Sequence, residues 1–190
     1  MKKCLALSCL ALTVVLSGCS GFLSATRDDP IADNRGTRTI GSKIDDSLIE
    51  TKAKVNISKA NPDLDKSHIV VVSYNGVVLL AGQTPRPELK AQAEQVARNV
   101  QRVKLVHNEL QVLEPSSLLA RNNDTWITTK IKSKMLTDNS VPASRIKIVT
   151  ENGIVYMLGL VTHQEANLAT NVAQSVSGVQ RIVKLFEYID

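Results

Sequence analysis

The chain has 190 residues, a formal net charge of +5 at pH 7 and three cysteines. All three, Cys4, Cys9 and Cys19, lie in the first 19 positions. The remaining sequence therefore has no thiol for a disulfide, a zinc site or a cysteine nucleophile, and its domains must be stable from packing alone.

Residues 1–18 have the layout of a secretory signal peptide. Lys2 and Lys3 form a basic start, and the apolar stretch from Cys4 to Leu16 is too short to span a bilayer comfortably. Without these two lysines the chain has 21 basic against 18 acidic residues. For a mildly basic exported protein we expect no nucleic-acid partner, and instead anionic lipid or another envelope protein.

The signal ends in a motif that predicts lipidation. Leu16-Ser17-Gly18-Cys19 resembles the bacterial lipobox, in which the cysteine thiolate takes the lipid and becomes the first mature residue. Several acyl chains of the palmitate type give stable attachment, whereas one gives only marginal anchoring. By resemblance to the known sorting pattern of bacterial lipoproteins, Asp after the lipidated cysteine would favour the inner membrane. Ser20 at this position therefore predicts an anchor in the outer membrane, facing the periplasm.

Residues 19–44 comprise the lipidated cysteine and a predicted flexible tether. They are rich in Asp, Arg, Gly, Thr and Ser and show no sustained apolar period. The folded part is therefore expected to begin near residue 45.

Beyond the tether the chain repeats itself, which sets the architecture. The first copy is predicted at 45–113, a linker at 114–123 and the second copy at 124–190. Three pairs of segments match: DSLIETKAK with DTWITTKIK, IVVVSYNGVVLLAGQ with IKIVTENGIVYMLGL, and VARNVQRVKLV with VAQSVSGVQRIV.

Each copy predicts the order αββαβ. Asp46 and Asp124 are read as N-caps of the first helices. Asn75-Gly76 and Asn152-Gly153 predict tight hairpins, because both turn residues tolerate positive φ.

The end of each copy is predicted in the same way. Thr162 to Glu165 has the form of a capping box, and Pro85 can begin the matching helix of the first copy. Val103–Val112 and Val179–Ile189 are predicted as closing strands. The fold class is α+β, with each copy a three-stranded mixed sheet covered on one face by two helices.

Two αββαβ units with Asn-Gly hairpins, and Ser177-Gly178-Val179 before the last strand, resemble BON domains. The first copy departs from this signature, with Gln101-Arg102-Val103. The lipobox and tandem units together resemble the dual-BON outer-membrane lipoproteins. The resemblance implies a non-enzymatic protein that binds anionic phospholipid, gathers at the division site, supports outer-membrane integrity and associates with the β-barrel assembly machinery.

No catalytic or metal constellation is found in the sequence. His68, His107 and His163 lack metal-ligand spacing to another His or Cys, and they are read as structural or surface residues. The glycines lie at hairpins and strand ends, away from any phosphate-binding glycine motif. We predict no enzyme activity, no metal and no cofactor.

The helix around the single tryptophan carries the candidate site. At about 100° per residue, Ile127, Ile131 and Met135 form a core-facing stripe that excludes Trp126. A lysine-rich face that contains a Trp and no acid suits a membrane interface with anionic lipid, such as phosphatidylglycerol. The predicted lipid-binding residues are Trp126, Thr129, Lys130, Lys132, Ser133 and Leu136.

Two alternatives remain open from the sequence. Trp126 can instead fold under the linker or against the first copy, or it can contact the main protein partner of an envelope scaffold, such as the β-barrel assembly machinery. In the first copy, Leu48 replaces Trp126 and Glu50 replaces Thr128. We expect the face around Leu48 and Val55 to be covered by the other copy, and the protein to be a monomer.

Overall fold

The computed structural model describes residues 36–190. The signal peptide, Cys19 and most of the predicted tether lie outside the described residues. The first repeat contains helices α1 (Ile40–Ala60), α2 (Pro62–Lys66) and α3 (Pro87–Arg98), and strands β1 (His68–Tyr74), β2 (Val77–Thr84), β3 (Leu105–Asn108) and β4 (Gln111–Val112).

The second repeat contains helices α4 (Leu118–Thr137) and α5 (His163–Gln174), and strands β5 (Ile146–Glu151), β6 (Ile154–Val161) and β7 (Arg181–Tyr188). A 3₁₀ turn, Ala143–Arg145, precedes β5. None of the helices within residues 36–190 is long and apolar enough to cross a membrane.

The two sheets have the predicted mixed topology. β1 pairs antiparallel with β2, and β5 with β6, through tight hairpins. Asn75 and Asn152 adopt positive φ, followed by Gly76 and Gly153, as predicted for these turns. β3 and β7 then pair parallel to β2 and β6, so α3 and α5 act as crossover helices.

Asp46 and Asp124 are not helix caps, and that prediction is wrong. α1 and α4 begin earlier, with Thr39 and Ser117 as their N-caps. Both aspartates are buried within the helices and accept hydrogen bonds from the hairpin amides. Asp124 accepts from the N–H of Asn152 at 2.7 Å and of Gly153 at 2.8 Å. Asp46 makes the same contacts in the first repeat.

Two further local predictions have different outcomes. The Thr162 to Glu165 capping box is confirmed. Pro85 does not begin α3, because Arg86 is the N-cap and Pro87 occupies the first turn. The closing strand of the first repeat is split into β3 and β4, which both pair with β2.

Each repeat has its own core between its sheet and its helices. The predicted stripe of Ile127, Ile131 and Met135 is buried against the second sheet. In the first repeat, Ile49, Ala53 and Ile57 are buried in the same way. The prediction of a sheet covered on one face by two helices is thereby confirmed for both repeats.

The opposite faces of the two sheets pack against each other. This third apolar cluster joins Val72, Tyr74, Leu79 and Ala81 of the first repeat to Ile154, Tyr156, Leu158 and Leu185 of the second. The resulting layers are helix, sheet, sheet and helix, so α1 and α4 lie on opposite sides of the molecule. The expectation that the second repeat covers the outer face of α1 is wrong, since Leu48 and Val55 stay half exposed.

Polar contacts at the rim of this interface follow the repeat. The residue before each Asn-Gly turn reaches the opposite repeat near the start of its first strand. The Tyr74 hydroxyl donates to the Arg145 carbonyl at 2.6 Å. Glu151 lies 3.2 Å from Nε2 of His68. Each hairpin thus fixes the register of one sheet against the other.

Candidate functional site

The predicted lipid-binding residues lie together on the solvent side of α4, which we call the α4 face. All six are exposed: Trp126, Thr129, Lys130, Lys132, Ser133 and Leu136. Trp126 is 50% exposed and Leu136 is 73% exposed, so two large apolar side chains face solvent. Trp126 is absent from the buried cluster between the sheets, which disfavours its role as an interface residue between the repeats.

The orientation of Trp126 follows from what α4 buries. Ile127, Ile131 and Met135 face the sheet, and Asp124 binds the hairpin turn on the same side. A helix of 3.6 residues per turn must then direct Trp126 away from the sheet. The outward position of Trp126 is therefore set by the packing of α4 on the sheet and by the buried Asp124 carboxylate.

One lysine of the α4 face contacts the tryptophan directly. The Lys130 ammonium lies 4.4 Å from the centre of the Trp126 ring, in cation–π geometry. Lys134 is held elsewhere, because its ammonium donates to Ser175 Oγ at 2.8 Å. The positive charge beside Trp126 therefore comes from Lys130.

The α4 face has no acidic side chain of its own. Between Leu118 and Thr137 the only carboxylate is Asp124, which is buried and bound to the hairpin amides. An approaching anionic surface thus meets lysine, threonine, serine and apolar groups, with no exposed carboxylate on the helix to repel it.

Part of this face was not predicted from the sequence. Residues 118–123 were expected in the linker, yet they form the first turns of α4. Leu118 and Leu119 are among the most exposed apolar residues of residues 36–190, at 76% and 80%. At 100° per residue they share the angular sector of Leu136 and Trp126, so the apolar part runs the length of the helix.

A groove lies beside the α4 face, and the sequence analysis did not find it. It runs between α4 and β5, and His68 of the first repeat also lines it. Its polar lining consists of Arg121, Asp124, Thr125, Thr128, Thr129 and Lys132 of α4, Thr150 and Glu151 of β5, and His68. We call it the α4 groove. The sequence difference that accompanies the groove is Thr128 in the second repeat at the position of Glu50 in the first. Its structural effect depends on how the two repeats pair.

Burial controls the titration of Glu151 and His68, which both line the α4 groove. It raises the pKa of Glu151 to about 7, and the nearby Asp124 charge adds to this effect. Burial also lowers the pKa of His68, as does the Arg121 charge. Both shifts favour the neutral forms, so the 3.2 Å contact is not a full ion pair at neutral pH.

A family model for the BON domain matches residues 45–114 and 123–190. The chain belongs to the BON-domain family. It is 37% identical over 181 residues to the outer membrane lipoprotein DolP of Haemophilus influenzae, covering 95% of this chain and 94% of that protein. The resemblance to dual-BON lipoproteins is thereby confirmed.

Two further relatives extend this comparison. The chain is 36% identical over 152 residues to a 21 kDa hemolysin of Actinobacillus pleuropneumoniae, covering 80% of this chain and 78% of that protein. It is 30% identical over 146 residues to osmotically-inducible protein Y of Escherichia coli, covering 75% and 72%. Together with DolP, these similarities support an outer-membrane-associated BON lipoprotein.

The structure also locates the three histidines. His68 contacts Glu151, and His107 lies in β3. His163 Nδ1 lies 2.7 Å from Asp190. Within residues 36–190 no group of three or more His, Cys, Asp or Glu side chains could hold a metal ion. The absence of enzyme activity and of a metal stays a prediction.

Proposed function

We propose that this BON lipoprotein is a non-enzymatic protein that binds anionic phospholipid of the phosphatidylglycerol type through the α4 face. The carrying observation is that Trp126 is half exposed on a lysine-bearing helix face with no exposed carboxylate. The ring is apolar with one polar N–H, which suits the boundary between headgroups and acyl chains.

The charges give the interaction its preference for anionic lipid. Lys130 and Lys132 can place their ammonium groups among lipid phosphates while their stems lie along apolar surface. Each basic residue near such a surface contributes roughly 1 kcal/mol, so two lysines alone bind weakly. Apolar contact by Trp126 and Leu136 adds an attraction that salt does not screen.

Leu118 and Leu119 lengthen the contact. They lie at the start of α4 and Leu136 lies near its end, about 26 Å away at 1.5 Å per residue. A helix with apolar groups at both ends and an aromatic ring between them can lie flat in the interface.

An anchor at Cys19 would confine the domains near the membrane and so strengthen a weak contact. Cys19→Ala should release the mature protein from the outer membrane into the soluble periplasmic fraction. Full retention of that variant in the membrane fraction would mean that the lipid is not the main attachment. Support of outer-membrane integrity, at the division site, is proposed from the family resemblance alone.

The direct test uses vesicles and no other protein. The mature chain, residues 19–190 with Cys19→Ala, should bind phosphatidylglycerol vesicles and leave zwitterionic vesicles unbound, and salt should weaken the binding partially. If neither vesicle is bound, the alternative gains support. In that case Trp126 contacts a protein, such as a component of the β-barrel assembly machinery.

A further inference from the structure

The α4 groove is open where its counterpart in the first repeat is filled. Between α1 and β1, Glu50 Oε1 accepts from the Ser73 N–H at 2.8 Å and from the Lys147 ammonium of the second repeat at 2.6 Å. This carboxylate therefore crosses the space between helix and strand and meets the opposite repeat.

Thr128 stands at the position of Glu50 in the second repeat. Its hydroxyl donates to Thr150 Oγ1 at 2.7 Å, which is as far as so short a side chain reaches. The space that a carboxylate fills in the first repeat is thus left as a groove of about 480 Å³ in the second.

Two cationic side chains mark the ends of the α4 groove. Arg121 and Lys132 are eleven residues apart, three turns of one helix face and about 16 Å along its axis. Within residues 36–190 neither forms an ion pair, and the only hydrogen bond of the Arg121 guanidinium is from Nε to Ser116 Oγ at 3.3 Å. Both remain able to donate to an anion.

The lining between these ends is polar but not strongly acidic. Thr125 and Thr129 lie between them, and both hydroxyls donate to the helix carbonyls, which leaves their lone pairs towards solvent. The Asp124 carboxylate is buried, and both of its oxygens accept from the hairpin amides. Glu151 has its pKa raised to about 7 by burial, so it does not present a full negative charge at neutral pH.

We infer that the α4 groove binds the headgroup of a lipid that carries two phosphodiester groups, with Arg121 at one phosphate and Lys132 at the other. A single phosphate cannot meet both side chains across three helical turns, whereas two phosphates joined by a short polyol bridge can. This inference rests on the proposed function, because Trp126 must first bring the groove to a membrane.

The test compares two vesicle types with equal phosphate charge in the same zwitterionic carrier, one with phosphatidylglycerol and one with diphosphatidylglycerol. The mature chain with Cys19→Ala should bind the second type roughly fivefold more tightly, the gain from one additional basic contact at the surface. The measured quantity is the ratio of the affinities for the two vesicle types, because a general loss of charge would lower both affinities together.

Three variants separate the groove from the rest of the surface. Arg121→Gln should bring the ratio to one while binding to phosphatidylglycerol persists. Thr128→Glu should do the same by placing a carboxylate where Glu50 lies in the first repeat, and its melting temperature checks that it folds. Lys43→Gln, the same charge change at the position of α1 that matches Arg121, should leave the ratio unchanged.

The failures are distinguishable. An equal affinity of the parent chain for both vesicles, or a ratio that survives Arg121→Gln, would overturn the groove assignment and leave the α4 face intact. Absence of binding to both anionic vesicles would overturn the proposed function itself.

Discussion

Helices α1 and α4 occupy equivalent places in the two repeats and differ mainly in what they present outward. Both bury an aliphatic stripe, and both direct an aspartate, Asp46 or Asp124, into a hairpin turn. On the outward side, Leu48 of α1 occupies the position that Trp126 occupies in α4. The comparison teaches that the duplicated unit keeps its inward residues for folding, whereas its outward residues differ and in α4 form the proposed binding face.

The acid on α1 sharpens this contrast. Glu50 is used to join the repeats through Lys147, whereas Thr128 leaves the equivalent space open. α1 also exposes apolar side chains, including Ile40 and Ile44, so apolar exposure alone does not distinguish the helices. The aromatic ring of Trp126 and the absence of an exposed carboxylate distinguish α4 from α1.

The largest effect is expected from placing a charge on the inward side of α4. Ile131 is fully buried, so Ile131→Glu should destabilise the second repeat by on the order of 4 kcal/mol or more. Leu136→Glu, on the outward side of the same helix, should change the melting temperature little. Similar melting of both variants would contradict the assignment of inward and outward faces.

A smaller loss is expected when the helix-to-hairpin contacts are removed. Asp124→Ala leaves two hairpin amides without an acceptor and should cost about 2 kcal/mol in the free energy of unfolding. Asp46→Ala should cost about 1 kcal/mol more, since Asp46 also accepts from Ser73 and Arg38. Denaturant unfolding measures both, and an equal loss would show that these extra partners do not matter.

The interface between the repeats should respond modestly to pH. The folded pKa of Glu151 is raised to about 7, so its stabilising contribution is full below its unfolded pKa and is lost as pH rises through 7. The pKa of His68 is lowered, so its contribution rises with pH until both states hold it neutral, at pH ~7.5, and it partly offsets the fall from Glu151.

Between pH ~6.5 and 8 the free energy of unfolding should therefore fall by up to about 1 kcal/mol. Glu151→Gln has no carboxyl to ionise and should show no fall over this window. An equal slope in the two proteins, measured by denaturant unfolding, would assign the pH dependence to another group.

Much of the fold could be predicted from the sequence because its signals are periodic and local. The Asn-Gly turns and the stripe through Ile127 depend only on nearby residues. The helix starts were missed because residues 40–45 and 118–123 show no regular apolar period. The pairing of the sheets had one usable signal, the nearly continuous apolar run of β2, which indicates a strand buried on both faces.

The candidate site likewise has one part that could be predicted from the sequence and one part that could not. The exposure of Trp126 could be predicted, because the helical period alone separates it from the core stripe. The α4 groove could not be predicted, because His68 reaches it from the first repeat and because Glu50, which fills its counterpart, also binds Lys147 of the second repeat. Both facts depend on long-range packing that no local pattern encodes.

The central claim is that the outward difference between α4 and α1 is the difference between binding and not binding lipid. The most direct measurement is the affinity of Trp126→Glu and Leu48→Glu for phosphatidylglycerol vesicles, in the mature chain with Cys19→Ala. The two variants add the same charge at matched, half-exposed positions. Trp126→Glu should abolish measurable binding, and Leu48→Glu should bind within about twofold of the parent chain, because its charge lies on the side away from the membrane. Equal affinities of the two variants, whether both retained or both lost, would contradict the account.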